Sequence, residues 1–165
     1  MNGIIGRISI YPAKGEPGKN LREARLIEGR GLEGDFHADG EKQVSLLPAE
    51  TREALAAWKE SGLCFSRFKE NLTVRGIAPN ELRPGTRLAA GDAIMEIAAG
   101  VKRCHAECPL HAAGKRCPLA GKSLFAKVLK SGIIRVGDTV KGINIAGQSP
   151  APAACGGFRS RFFGV

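Results

Sequence analysis

Three cysteines, Cys104, Cys108 and Cys117, stand within fourteen residues of one another, in a stretch that also holds Lys102, Arg103, His105, His111, Lys115 and Arg116. Two chemistries suit these residue types. The first is a reactive thiolate. A free thiol titrates at about pH 8.5, and neighbouring cations lower that value by stabilising the anion. Cys104 follows Lys102 and Arg103 and precedes His105, while Cys117 follows Lys115 and Arg116. Cations in those positions would stabilise a thiolate or a persulfide anion and attract a phosphate-bearing cofactor. A soft thiolate is also a good ligand for a soft or high-valent metal. The second chemistry is a bound metal. Cys104-x3-Cys108-x8-Cys117 with His105 or His111 supplies three or four ligands, and a closed four-ligand set would be structural zinc. The spacing matches neither the paired knuckles of common zinc modules nor the cysteine run of iron–sulfur motifs. Three buried or spectator thiols are the plainer alternative.

Outside this stretch, His37 in Asp35-Phe36-His37 can help to position an anion near the cysteines, or can be a structural loop histidine. Asn71 is a second candidate cofactor contact; with Glu70, it also reads as a hydrogen-bonding residue at the start of a strand. The glycines of Gly29-Arg30-Gly31-Leu32-Glu33-Gly34 mark tight backbone turns. They lack the spacing of a phosphate-binding loop, and no Lys-Ser/Thr pair follows, so a nucleotide fingerprint is rejected. No Ser/His/Asp arrangement or paired-carboxylate motif stands out.

The charge distribution points to the same stretch. The chain has 165 residues and a net charge of +9. Residues 1–100 hold 14 basic and 14 acidic side chains, whereas residues 101–165 hold 11 basic and only two acidic ones, Glu107 and Asp138. The whole excess therefore lies in the cysteine-bearing third, where it can attract phosphates, oxyanions or nucleic acid, or simply solvate a face. Five cysteines, an odd count, argue against a disulfide framework. No apolar run reaches the roughly 18 residues of a membrane span, and the start has no signal-peptide pattern. A cytoplasmic location is the default expectation.

The elements that must position these residues are short. Ile4 to Ile10 reads as a strand, residues 21–27 as strand or helix, and Gln43 to Leu47 as a strand. Pro48 to Glu60 reads as a helix with Leu47, Leu55 and Trp58 on one face and Gly62 as its cap. Leu72 to Val74 is a strand, and Leu88 and Ala93 to Ile97 form a hairpin about Gly91-Asp92. Phe65 and Phe68 are expected in the core. Residues 101–121 should be mostly irregular. Ser123 is expected to cap a short helix over Leu124 to Lys130, and Gly137-Asp138 to join a second hairpin of Ile133–Val136 and Thr139–Ile145. Short strands with Gly and Pro turns point to a mainly β domain, a closed or nearly closed β-barrel with a few short helices. It would span 1–145, followed by a flexible Ala/Gly/Pro-rich tail over 146–165.

The order of several blocks resembles the MOSC domain family, named for the C-terminal domain of molybdenum cofactor sulfurases. Those blocks are Gly31-Leu32-Glu33-Gly34-Asp35-x-His37-Ala38, Gln43-Val44-Ser45-Leu46-Leu47 and Phe68-Lys69-Glu70-Asn71-Leu72-Thr73-Val74. They continue through Pro84-Gly85, Lys102-x-Cys104-His105-x-x-Cys108, Cys117 and Gly132-Ile133-x-x-Val136-Gly137-Asp138. The nearest likeness is to small stand-alone bacterial members. It implies a β-barrel-like fold and a sulfur-carrier or molybdenum-cofactor role, with the family's central cysteine falling on Cys104 to hold a persulfide or ligate molybdenum. Lys102, Arg103, Lys115 and Arg116 are then candidate contacts for the cofactor's phosphate, an inference from charge.

On that basis the expected sulfur donor is a pyridoxal-phosphate-dependent cysteine desulfurase. The expected acceptor is a molybdenum-cofactor enzyme or biosynthesis protein. Two alternatives stand beside it. One is a cofactor-bound molybdoenzyme domain that reduces N-hydroxylated compounds. The other is a basic nucleic-acid-binding module stabilised by zinc at Cys104, Cys108, Cys117 and His105. Aromatic residues make up 5% of the chain, a poor supply of stacking platforms, which argues against nucleic acid.

Overall fold

The computed structural model describes residues 2–37, 40, 42–58, 62–98 and 104–143, with Ser66 described by its backbone alone. The expected tail over 146–165 lies outside the described residues. So do the cofactor-contact candidates Lys102 and Arg103.

The described residues form eleven strands and three short α-helices. In chain order they are β1 (Asn2–Ile10), β2 (Lys19–Leu21), β3 (Glu23–Ile27), β4 (Gly31–Leu32), β5 (Val44–Pro48), α1 (Ala49–Ala57), α2 (Leu63–Arg67), β6 (Leu72–Arg75), β7 (Arg87–Ala90), β8 (Ala93–Ile97), α3 (Pro109–Ala112), β9 (Leu124–Lys130), β10 (Gly132–Arg135) and β11 (Thr139–Ile143). The order β11-β7-β8-β9-β5-β6-β1 closes on itself through β1–β11, giving the expected closed barrel, and β2 extends from β1. A separate sheet, β10-β3-β4, packs beside it.

Closure leaves the barrel proper without an open edge and makes its interior the core. Ile5, Leu46, Leu72, Leu88, Met95 and Val140 are fully buried there, each worth roughly 1.5–3 kcal/mol relative to an exposed side chain. In β1 the period-2 alternation breaks where the register against β6 shifts between Ile5 and Arg7. That irregularity, at Gly6, brings Ile8 and Ser9 both inside.

The structure corrects several sequence expectations. Leu124 to Lys130 is the strand β9, not a helix: Leu124, Ala126 and Val128 are buried alternately, and β9 pairs with β5 on one side and β8 on the other. Tertiary pairing here overrides local helix propensity. Ser123 caps nothing; it is fully buried and its hydroxyl has no hydrogen-bond partner among the described residues.

Gly137-Asp138 does form a tight turn, with the Asp138 N–H donating to the Arg135 carbonyl at 3.0 Å. The strands it joins nevertheless diverge, β10 to β3 and β11 to β1 and β7, so no hairpin forms. In α1, Trp58 is 44% exposed and does not share the buried face of Leu47 and Leu55. Gly62 precedes α2 instead of capping α1. The hairpin about Gly91 is present as expected.

Candidate functional site

One strand pair positions the site. β5 and β6 run parallel, so the chain must cross over between them, and a parallel crossover needs a dozen or more residues, usually helical. Here it carries α1 and α2. The long connection from Cys104 to Ser123 lies against this crossover through a small apolar cluster of Leu47, Leu55, Phe68 and Leu119, on which Cys64, Phe65, Cys117 and Phe125 pack. Such a satellite cluster fixes a loop that has little secondary structure of its own.

Between α2 and the loop lies a cavity of about 240 Å³. Cys64, Cys104, Cys108 and Cys117 line it, together with His105, His111, Lys115 and Arg116. All four cysteines are free thiols. Cys104 is exposed, Cys64 and Cys117 are half-buried and Cys108 is buried, so Cys104 sits at the solvent edge and Cys108 deeper. A turn makes this possible: the Cys108 N–H donates to the His105 carbonyl at 3.1 Å, and the Cys108 carbonyl accepts from Ala112 at 2.9 Å.

Cys108 occupies the N-cap position of α3, where Pro109 opens the helix. Its side chain makes no capping hydrogen bond. The N–H of His111 and then that of Leu63 hold its thiol below the usual range; burial opposes them, and the Leu110 N–H adds to them. Leu63 opens α2, so a backbone group of the crossover acts on this thiol together with those of α3. N–H groups left without partners at helix starts favour an anion.

Among the described residues, no three His, Cys, Asp or Glu side chains form a group that could hold a metal ion. Cys104, His105, Cys108 and Cys117 thus share a cavity without meeting as a ligand set. Of the basic candidates, Lys115 and Arg116 line the cavity.

His37 and Asn71 are not among its lining residues. The His37 ring is half-exposed, 3.3 Å from the Asp35 carboxylate, and packs edge-on to Tyr11 and Phe36. Asn71 is buried and both ends of its amide are used internally. Its Oδ1 accepts from the Ser45 N–H and hydroxyl, each at 2.9 Å. Its Nδ2 donates to Asp35 at 2.8 Å and to the Ser9 carbonyl at 3.2 Å.

The crossover is held by Glu70, only 1% exposed, which pairs with Arg7 of β1 and Arg52 of α1. Arg52 Nε donates to Glu70 at 3.0 Å, and its terminal nitrogens donate to the Phe65 and Phe68 carbonyls at 3.3 and 3.4 Å. Arg52 therefore ties down the end of α2, and with it the placement of Leu63 and Cys64. A second depression, lined by Arg7, Tyr11, Arg52, Lys69 and Glu70, lies beside these residues. Burial, and next the Glu70 carboxylate, push the Tyr11 phenol above its ordinary range.

Sequence reasoning missed Cys64 as a cavity residue, because nothing local to it announces contact with a loop some 40 residues later. It also missed Arg52, whose role depends on the crossover geometry.

A family model described as MOSC domain matches residues 33–141. No curated protein matches the chain. Among solved structures, the YuaD protein of Bacillus subtilis superposes with a TM-score of 0.64 at 16% identity, covering 85% of this chain and 94% of that one. YiiM from Geobacillus stearothermophilus gives 0.60 at 20% identity, covering 86% and 75%. YiiM from Escherichia coli gives 0.57 at 17%, covering 88% and 72%. Identities this low establish a shared barrel fold. Among the described residues, no helix is long and apolar enough to cross a membrane.

Proposed function

We propose, from the premise that this chain belongs to the MOSC domain family, that its cysteine cavity carries sulfane sulfur, with Cys104 as the accepting thiol. MOSC domains are generally linked to molybdenum-cofactor-related function. The observation that supports the finer reading is the position of Cys104, exposed at the edge of a cavity that holds three further thiols and is flanked by Lys115 and Arg116.

In this reading the Cys104 thiolate attacks the outer sulfur of a persulfide on a cysteine desulfurase. A bond forms between Cys104 Sγ and that sulfur, the donor's S–S bond breaks, and the electron pair leaves on the donor thiolate. The cationic neighbours stabilise the resulting persulfide anion. A thiolate of a molybdenum-cofactor enzyme or biosynthesis protein then attacks the outer sulfur: an S–S bond forms on the acceptor, the Cys104 Sγ–S bond breaks, and the electron pair returns Cys104 as a thiolate. The test is transfer of label from radiolabelled cysteine through a desulfurase, with label expected on the wild type and lowered about tenfold or more in Cys104→Ala.

The same exposure of Cys104 supports a second reading, in which the cofactor stays bound. A soft thiolate suits the metal, and Lys115 and Arg116 suit a phosphate. A molybdenum cofactor held there would supply reduction of N-hydroxylated compounds, with electrons from a partner. Molybdenum analysis of protein from a cofactor-competent host separates the two readings. The zinc-organised module has less support, because the described thiols and imidazoles do not gather as a ligand set.

A further inference from the structure

We propose that the cavity contains a two-thiol sulfur relay, in which sulfane sulfur taken up at Cys104 passes to Cys108 and is stored there. The inference rests on the sulfur-carrier reading and adds to it a second thiol with a different task.

Uptake and storage make opposite demands. A thiol that receives sulfur from another protein must be reachable, whereas one that keeps it needs shelter from solvent thiols and a setting that favours an anion. Cys104 is exposed and Cys108 buried, and both line one cavity. The His105–Cys108 turn folds the short segment between them back on itself.

The N–H groups of His111, Leu63 and Leu110, from two separate elements, favour the charged form of the Cys108 thiol. A persulfide is a stronger acid than its thiol, so a setting that favours the anion suits the loaded form. Cys64 and Cys117 pack instead against the apolar cluster of Leu47, Leu55, Phe68 and Leu119, as small hydrophobes do. The cavity, at about 240 Å³, has room for one added sulfur atom, since even a water occupies about 30 Å³.

The transfer balances without an outside oxidant or reductant. The Cys108 thiolate attacks the outer sulfur of the Cys104 persulfide. A Cys108 Sγ–S bond forms, the Cys104 Sγ–S bond breaks, and the electron pair leaves on Cys104 Sγ. Attack on the inner sulfur would instead give a Cys104–Cys108 disulfide and release sulfide. The N–H groups around Cys108 favour the first course by stabilising a persulfide on Cys108.

The experiment uses the full chain and glutathione persulfide as donor, whose outer sulfur passes to the Cys104 thiolate as glutathione thiolate leaves, with alkylation at timed points and mapping of each cysteine by mass spectrometry. On the wild type, label should appear first on Cys104 and then collect on Cys108, to about tenfold excess or more, the ratio expected from charge-assisted hydrogen bonds. In Cys104→Ser, loading of Cys108 should slow about tenfold; in Cys108→Ser, label should stop at Cys104. The wild-type order of labelling needs no variant and so does not depend on either variant folding. Label resting on Cys104, Cys64 or Cys117 in the wild type, or Cys108 loading at an unchanged rate in Cys104→Ser, overturns the relay while leaving sulfur carriage standing. Absence of label from every cysteine overturns both.

Discussion

The backbone N–H of Leu63, which opens α2, acts on the thiol of Cys108 in the long loop and, after the N–H of His111, holds it below the usual range. This relationship links the crossover to the cysteine loop and favours the thiolate of Cys108. Its pH consequence has a definite sign. A thiol whose folded pKa lies below its unfolded value adds stability above the unfolded pKa, and that stability is lost as pH falls through the folded value. Wild type minus Cys108→Ser should therefore gain unfolding free energy toward a plateau above about pH 8.5, the ordinary thiol range, and lose it on acidification. Ultraviolet thiolate absorbance should show the Cys108-dependent signal persisting below that range. A midpoint at or above it contradicts the assigned environment.

Glu70→Gln should destabilise the protein by about 2–3 kcal/mol, because hydrogen bonds to a buried charge are lost and Arg52 is left partly unpaired. The exposure of the Arg7 side chain, 41%, keeps the cost below that of a fully buried pair. Denaturant unfolding should show a lower midpoint with an unchanged slope. A midpoint equal to wild type would show that Glu70 does not hold the crossover.

Asn71→Ala should cost about 2–3 kcal/mol by stranding the Ser45 N–H and disturbing Asp35. Sulfane-sulfur loading per folded molecule should stay at the wild-type level, since the amide is spent inside the fold. Impaired loading with unchanged stability would instead make Asn71 a contact for the carried group.

Gly31→Ala tests the path of the loop that leads into β5. Gly31 has φ +121°, and a Cβ there would lie 2.5 Å from the Gln43 carbonyl oxygen. A loss of about 3 kcal/mol is expected from backbone strain and the clash, read as a fall in unfolding free energy. Wild-type stability would contradict this packing.

Much of this was legible in the chain. The apolar alternation of β1 and the turn at Gly91-Asp92 pointed to strands, and the clustering of cysteines with cations marked the loop that lines the cavity. The helix expected over Leu124 to Lys130 failed because the same apolar spacing serves a strand once β5 and β8 flank it. The hairpin at Gly137-Asp138 failed because a turn's local geometry does not say which sheet each arm will join. Cys64 and the N–H of Leu63 were invisible for a related reason. They reach the site only through the β5–β6 crossover, a non-local relationship that no spacing encodes. Asn71 shows the reverse case: its place in the motif was clear, but the four hydrogen bonds of its side-chain amide were not.

Desulfurase-dependent labelling of Cys104 tests the central claim most directly. Radiolabelled cysteine, a pyridoxal-phosphate-dependent cysteine desulfurase and the full chain are combined, and bound sulfane sulfur is measured for the wild type and Cys104→Ala after both are shown to fold. The account predicts label on the wild type that a thiol reductant releases, and a fall of about tenfold or more in Cys104→Ala, as for loss of an essential nucleophile. Equal labelling of the two proteins, or none on the wild type, would contradict it.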